Sequence, residues 1–398
     1  MSGSERILRV AAKGDGVTGS GRHVAFAAPG DIVRPDGSLD PGPHHATPPC
    51  RHFPECGGCQ LQHLDDSALA GFVRDRVVNA AAGQGLAPET VAPLHLSPPR
   101  TRRRATLHAG RAGGRVVIGF RAAGSHRIAD MRECHVLAPA LFALVDPLRR
   151  LLGRWPGRLA ADAHLACADQ GISLELSGLT LDGLAQTESL LDFARDHRLA
   201  RLTLDQGYGP EPLWEPDPTT VSLSAVPVGL PPGAFLQATA DGEAALVAAV
   251  RAWLGEAATV ADLFAGLGTF AFALAGPGKV LAVEAAQDAH FACKTAAARP
   301  GKPVHALHRD LYRNPLRAEE LNRFAAVVLD PPRSGARDQA AQLTASKVPR
   351  IAYISCNPSS WARDAAMLIA GGYRLAELRP VGQFRWSTHV ELASLFVR

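Results

Sequence analysis

V-A-D-L-F-A-G-L-G-T-F, residues 260–270, decides the fold. An apolar run of strand length passes into a glycine-rich turn, and helix-forming residues follow. Gly266 and Gly268 let the backbone turn tightly and approach a ligand closely. Glu284 ends the next apolar run, K-V-L-A-V-E, about twenty residues on, where a carboxylate can accept from both ribose hydroxyls. The turn reads G-L-G and lacks the third glycine of a dinucleotide fingerprint. That departure favours S-adenosylmethionine over NAD.

The same grammar continues on both sides. A helix is expected over 239–254, before the turn. After it come H-A-L-H-R-D (305–310), F-A-A-V-V-L-D-P-P-R-S-G (324–335) and R-I-A-Y-I-S-C-N-P-S-S (350–360). Apolar strands alternating with helices indicate a parallel sheet with crossover connections. Y-R-L-A-E-L-R-P-V and H-V-E-L-A-S-L-F-V-R close the domain. Asp310 follows its strand and is placed to hydrogen-bond an adenine amine or to cap a helix before Leu311. Asp330 ends a buried strand, and Pro331 and Pro332 keep the chain extended there.

Ligands of open α/β sheets sit beyond the carboxyl ends of the strands. Cys356 falls at that edge, one strand over from Asp330. Glu391 lies inside an apolar strand, where a carboxylate is costly to bury without a partner. Alternation puts His389, Glu391 and Ala393 on one face. A thiol and a carboxylate together suit one chemistry in particular. A thiolate adding to carbon 6 of uracil makes carbon 5 nucleophilic. After methylation, a general base must remove the proton from carbon 5. Cys356 and Glu391 fit these two roles, and local stabilisation of the thiolate is expected.

The amino-terminal half reads differently. Residues 7–40 suggest short strands joined by Gly-rich turns, too few for a closed barrel. A helix is expected over 66–83 with Asp65 or Asp66 as N-cap. R-R-A-T-L-H-A-G and R-V-V-I-G-F-R-A form a hairpin around Gly113-Gly114. Residues 137–153 read as a helix, followed by further strands of an α+β unit. Between them C-R-H-F-P-E-C-G-G-C gives C-x₅-C-x₂-C, with Cys134 seventy-five residues beyond the third. Four cysteines suit an iron–sulfur cluster or zinc, and spacing does not choose. Seven cysteines in all, an odd number, argue against a disulfide framework. Arg100, Arg102, Arg103 and Arg104 form a cluster that could pair with phosphates or be a solvated basic hairpin.

The whole chain resembles the RNA 5-methyluridine methyltransferases, especially the bacterial 23S ribosomal RNA branch with a four-iron, four-sulfur cluster. The motifs C-G-G-C-Q-L-Q-H-L, D-L-F-A-G-L-G-T-F, L-D-P-P-R-S-G, S-C-N-P and H-V-E carry the resemblance. It implies a class I Rossmann-like, S-adenosylmethionine-dependent domain over 231–398. Before it would come a truncated TRAM-like β segment over 1–45 and an iron–sulfur α+β domain over 46–230. It further implies that Cys50, Cys56, Cys59 and Cys134 hold a [4Fe-4S] cluster. Gln237, Phe264, Thr269, Glu284, Asp310 and Asp330 fall on cofactor-contact positions, with Gly266 in the turn. Cys356 falls on the nucleophile and Glu391 on the proton acceptor. The chain departs from the family at Thr239 and Thr269, where Asn is frequent, at Gly382 (Asp) and at Arg385 (Pro).

The implied substrate is 23S ribosomal RNA, with transfer RNA as the alternative. Two other readings were weighed: an amino-group methyltransferase, which would leave Cys356 and Glu391 idle, and a non-catalytic RNA-binding iron–sulfur protein. A net charge of +4 does not by itself announce a nucleic-acid binder. The opening M-S-G-S-E-R-I-L-R-V holds no long apolar run, and no stretch of ~18 apolar residues occurs. A cytoplasmic monomer without a membrane span is the expectation.

Overall fold

The computed structural model describes residues 3–276, 278–299 and 303–398. From Thr259 onward the chain builds one large sheet. Its spatial order is Val304–His308, Lys279–Glu284, Thr259–Leu263, Ala326–Leu329, Arg350–Ser355, Glu391–Val397 and Arg374–Gly382. The first five strands are parallel. Glu391–Val397 runs antiparallel to both neighbours, so the strand bearing Glu391 is interior and not an edge. Strand order reverses at Thr259–Leu263, and a crevice opens where successive connections leave in opposite directions. The expected α/β domain is therefore present, with a mixed sheet.

Helices cover both faces, which is why these strands read as continuous apolar runs. Ala240–Leu254, Thr269–Leu274, Gln287–Ala297, Arg337–Ala345 and Pro358–Ala370 supply them. Thr239 caps the first helix by accepting from the Gly242 N–H at 3.0 Å. A threonine thus does the capping work of an asparagine at that position. Asn357 caps the last of these helices, with Pro358 at its first position.

The middle of the chain divides at other points than the expected boundaries at 45 and 230. Helix Asp66–Ala82, capped by Asp65, buries Leu69, Phe72, Val73 and Val77 in the same core as Trp361 and Leu378. Strands Thr90–Val91 and His95–Leu96 extend the large sheet beside Arg374–Gly382. Hairpin Thr220–Leu223/Val226–Gly229 also packs into the carboxyl-terminal core, against Leu246 and Phe270. An amphipathic stripe reports that a core exists, not which one, so the sequence left these elements with their nearest neighbours.

A separate core remains over 104–214. Its six-stranded sheet runs Pro210–Trp214, Arg201–Asp205, Gly171–Ser177, Ala160–Ala168, Arg104–Ala112 and Arg115–Gly119. Val145–Gly153 and Leu184–Asp196 pack on it through Leu148, Leu152, Leu190 and Phe193. The single helix expected over 137–153 is two, Pro139–Ala143 and Val145–Gly153. Pro147 has no N–H to give the Ala143 carbonyl, which breaks the run. Residues 5–40 form an open five-stranded antiparallel sheet around Ile7, Ala27 and Val33. Among the described residues no helix is long and apolar enough to cross a membrane.

Candidate active site and cysteine-lined cavity

Three strand ends meet at the crevice. Leu263 pairs in register with Leu329, and Leu329 with Tyr353. Phe264 and Asp330 therefore emerge side by side, and Cys356 follows directly on the end of the third strand at Ser355. Ser355 lies opposite Leu392, so Cys356, one residue further, stands across from Glu391. Opposed residues of antiparallel strands project to the same face. Residues 35 apart in sequence are thus brought to one rung.

Glu391 is 4 % exposed. Burial pushes its carboxyl up to about 7, while a hydrogen bond from Gln383 and the charges of Arg104 and Arg333 pull it down. Gln383 Nε2 donates to Glu391 Oε2 at 2.8 Å. Cys356 is half-buried, and burial followed by the Glu391 and Asp330 carboxylates pushes its thiol up to about 11. The expected stabilisation of the thiolate is limited to the charge of Arg333 and a backbone hydrogen bond, which are outweighed. Asp330 is itself raised by burial, then by Glu391 and Asp262. A cluster of acids in a dry crevice discourages charge on every member.

Asn357 ties this corner together. Its Nδ2 donates to the Arg333 carbonyl at 2.9 Å and its Oδ1 accepts from Ser359 N–H. Arg333 in turn donates to His389 Nδ1 at 3.0 Å. His389 lies before the strand, so the alternation expected from 389 to 393 begins only at Glu391.

The glycine turn lies on the other side of the crevice. Glu284 accepts from the N–H of Gly266 at 2.8 Å and of Ala286 at 2.6 Å, so its carboxylate bridges the turn and the end of its own strand. Gly268 sits at φ 95° at the head of helix Thr269–Leu274, and a Cβ there would meet Phe272 at 2.7 Å. Phe264 holds φ 63°, a strained value for an aromatic residue, and faces Tyr312 at 5.4 Å. Asp310 Oδ1 accepts from Tyr312 and Arg313 N–H, so this carboxylate caps a turn through one oxygen. Gln237 is buried and accepts from Gln383 Nε2 at 2.8 Å.

Asp262, inside the quoted stretch, is fully buried, and neither of its oxygens has a hydrogen-bond partner. Burial pushes it up to about 7. The folded value lies above the unfolded 3.8, so the folded chain holds the proton more tightly, and stability falls as pH rises from about 4 to 7. We expect the stability of Asp262→Asn relative to wild type to rise by about 4 kcal/mol across that window. Thermal melts of both proteins, without ligand, at pH 4.5 and 8 measure it; a gap independent of pH excludes the ionised carboxylate as the cause.

Three of the four clustered arginines are engaged within the protein. Arg103 donates to the Gln237 carbonyl at 3.0 Å and pairs with Glu243, both side chains only 12–13 % exposed. Arg104 donates to the Leu236 carbonyl and stacks on Phe235 at 4.6 Å. Arg102 donates to the Arg104 carbonyl, and Arg100 stays exposed. Two of the four therefore fasten the middle unit to the carboxyl-terminal core. Arg104, Arg333 and Gln383 were missed as site residues. They act through chain-distant contacts or from irregular segments, and no local pattern marks them.

Cys50, Cys56, Cys59 and Cys134 line one cavity, closed by Phe120 and Met131. Burial pushes all four thiols up, Cys59 to about 12. Among the described residues no three His, Cys, Asp or Glu side chains are grouped to hold one metal ion. The four thiols together are a donor set of the kind that sulfur-ligated metal groups use.

Comparison with known proteins agrees with this geometry. The chain superimposes on the Pyrococcus abyssi tRNA (uracil-54, C5)-methyltransferase in complex with S-adenosyl-L-homocysteine, with TM-score 0.75 and 23% identity over 99% of this chain and 100% of that one. The fold is that of an S-adenosylmethionine-dependent methyltransferase. An uncharacterised RNA methyltransferase of Zymomonas mobilis is 46% identical over 99% of this chain and all of its own. The 23S rRNA (uracil(1939)-C(5))-methyltransferase RlmD of Halomonas elongata is 34% identical over 86% of this chain and 75% of its own. Residues 305–398 match the tRNA (uracil-5-)-methyltransferase family. This chain belongs to the RNA uracil-C5 methyltransferase family.

Proposed function

We propose that the protein methylates carbon 5 of a uridine in 23S ribosomal RNA. The observation that carries this reading is Cys356 standing opposite Glu391 at the strand ends. In the proposed reaction Cys356 loses its proton and its sulfur bonds to carbon 6 of the ring. The electron pair moves to the ring oxygen as an enolate. Carbon 5 then takes the methyl group. Glu391 removes the remaining carbon-5 proton, the ring double bond re-forms and the carbon–sulfur bond breaks. S-adenosylmethionine, when bound, supplies the methyl group as an electrophilic sulfonium. Gly266, Glu284, Phe264, Thr269, Asp310, Asp330 and Gln237 surround the place it would take. Asp310 would meet the adenine amine through Oδ2, which now faces the exposed Arg313 side chain at 3.5 Å.

Glu391 near neutrality suits a group that must be charged to accept the proton and neutral afterwards. The ribosomal substrate rests on the relative from Halomonas, and transfer RNA rests on the family matched by residues 305–398. Mass spectrometry of nucleosides, after incubation with separated ribosomal and transfer RNA lacking 5-methyluridine, decides between them. A different methylated nucleoside in either fraction overturns the reading.

Cys50, Cys56, Cys59 and Cys134 would hold a [4Fe-4S] cluster, whose part is to order the RNA-facing loop. Anaerobically purified protein is then expected to contain about four iron and four sulfide. Cys134→Ser is expected to lose most of both, with the near-ultraviolet absorption of the cluster. Stoichiometric zinc in place of iron would exclude the cluster. The open sheet of residues 5–40 would be the counterpart of a truncated TRAM domain. The protein acts as a cytoplasmic monomer.

A further inference from the structure

Gln383 lies in the irregular segment between strands Arg374–Gly382 and Glu391–Val397 and is 3 % exposed. Its amide is fully used. Oε1 accepts from the Ala238 N–H at 3.0 Å. Nε2 donates both hydrogens, one to Glu391 Oε2 and one to Gln237 Oε1, each at 2.8 Å. The backbone N–H of Ala238 is a donor and nothing else, so it dictates which end of the Gln383 amide is oxygen. Turning the amide over would set N–H against N–H on one side and oxygen against two oxygens on the other. The orientation propagates. With its Oε1 accepting from Gln383, the orientation of the Gln237 amide is set as well.

The position is built for this side chain. A Cβ on Gly242 would lie 2.7 Å from the Gln383 Cβ and 3.2 Å from its Oε1. Glycine in the first turn of helix Ala240–Leu254 thus makes room for the amide, and Thr239 caps the same turn. Three segments, at 237–242, 383 and 391, meet at one polar group in an apolar surrounding.

Resting on the function proposed above, we propose that Gln383 is a positioning residue that holds the base Glu391 and fixes the orientation of the Gln237 amide. Glu391 faces Arg104 from the middle unit, Arg333 and Asp330 from the D-P-P-R segment, and Cys356 across the rung. Gln383 is the neutral member of this set and the one in direct hydrogen-bond contact with the carboxylate. Its N–H favours the charged form, so it counters burial and keeps Glu391 ready to accept a proton.

The test compares wild type, Gln383→Met and Gln383→Glu as full-length protein with cluster intact. Two quantities are read against pH from 5.5 to 9: single-turnover release of free methylated RNA from the covalent complex, and the infrared carboxyl band of Glu391, assigned by its loss in Glu391→Gln. Gln383→Met is expected to move both midpoints upward by about one pH unit. Gln383→Glu keeps the shape of the side chain but sets acid against acid, and is expected to move them further. kcat is expected to fall about tenfold at pH 7 and to recover toward pH 9, with KM for RNA nearly unchanged.

A merely structural role lowers the rate by one factor at every pH, and midpoints equal to wild type in both variants overturn the proposal. Should Gln383→Met fail to fold, the near-isosteric Gln383→Glu still decides. The infrared titration needs no methylation. A shifted band in a protein that forms no 5-methyluridine supports the positioning of Glu391 and overturns the proposed reaction alone.

Discussion

Cys356→Ala is expected to abolish 5-methyluridine formation, by roughly 10⁵-fold or more, the scale on which loss of a nucleophile is felt. The alanine side chain is smaller by one sulfur atom and leaves the surrounding Asn357 and Arg333 contacts in place. Folding and RNA affinity should therefore change little. No covalent protein–RNA species should form, even with a 5-fluorouridine substrate that would otherwise trap one. Denaturing gels with labelled RNA and nucleoside mass spectrometry give the two readouts. Undiminished turnover by the alanine variant would sink the addition mechanism. The thiol rests near 11, so the rate in wild type is expected to climb with pH from 6 to 9.

Glu391→Gln should behave in the opposite way toward the adduct. Addition and methyl transfer do not need the base, but release does. Turnover is expected to fall about 10²- to 10⁴-fold while a methylated covalent complex accumulates. A labelled methyl group then travels with the protein on a denaturing gel. Gln383 can still donate to the amide oxygen of the substituted side chain, so the local network survives. The stability sign follows from the same titration. Glu391 has a folded value near 7 against 4.5 unfolded, so its charge destabilises the fold progressively as pH rises through that interval. The glutamine variant should be at least as stable as wild type at pH 8. A variant that neither traps RNA nor loses turnover removes Glu391 from the proton transfer.

The proposed rung of Cys356 and Glu391 was legible because each sets a reactive group at the end of an apolar strand, the thiol just after Arg350–Ser355 and the carboxylate at the head of Glu391–Val397. The glycine turn and Glu284 were legible for a related reason, as strand, turn and helix each left their own signature. Gln383 was not, because an amide in an irregular segment has no period and its partners lie 8 and 146 residues away. Arg104 sat in a run that looked like a phosphate clamp. Its real partners are the Leu236 carbonyl and the Phe235 ring, more than a hundred residues downstream, which charge alone does not disclose. Thiolate stabilisation was inferred from the chemistry, whereas the summed effect of burial and two neighbouring acids required coordinates.

Residues 104–214 leave the catalytic body after strand His95–Leu96 and rejoin it at hairpin Thr220–Leu223/Val226–Gly229. This makes the middle unit a loop held at both ends, with the Arg103–Glu243 pair as a third tie. A body on one tether can swing like a door; a body on two resists such rotation, since both connections must yield together. The protein then has little compliance to offer an incoming duplex. The work of exposing a uridine falls on the RNA, at a few kcal/mol for an unstacked base. Sites already open as loops or bulges should outcompete paired ones by that margin.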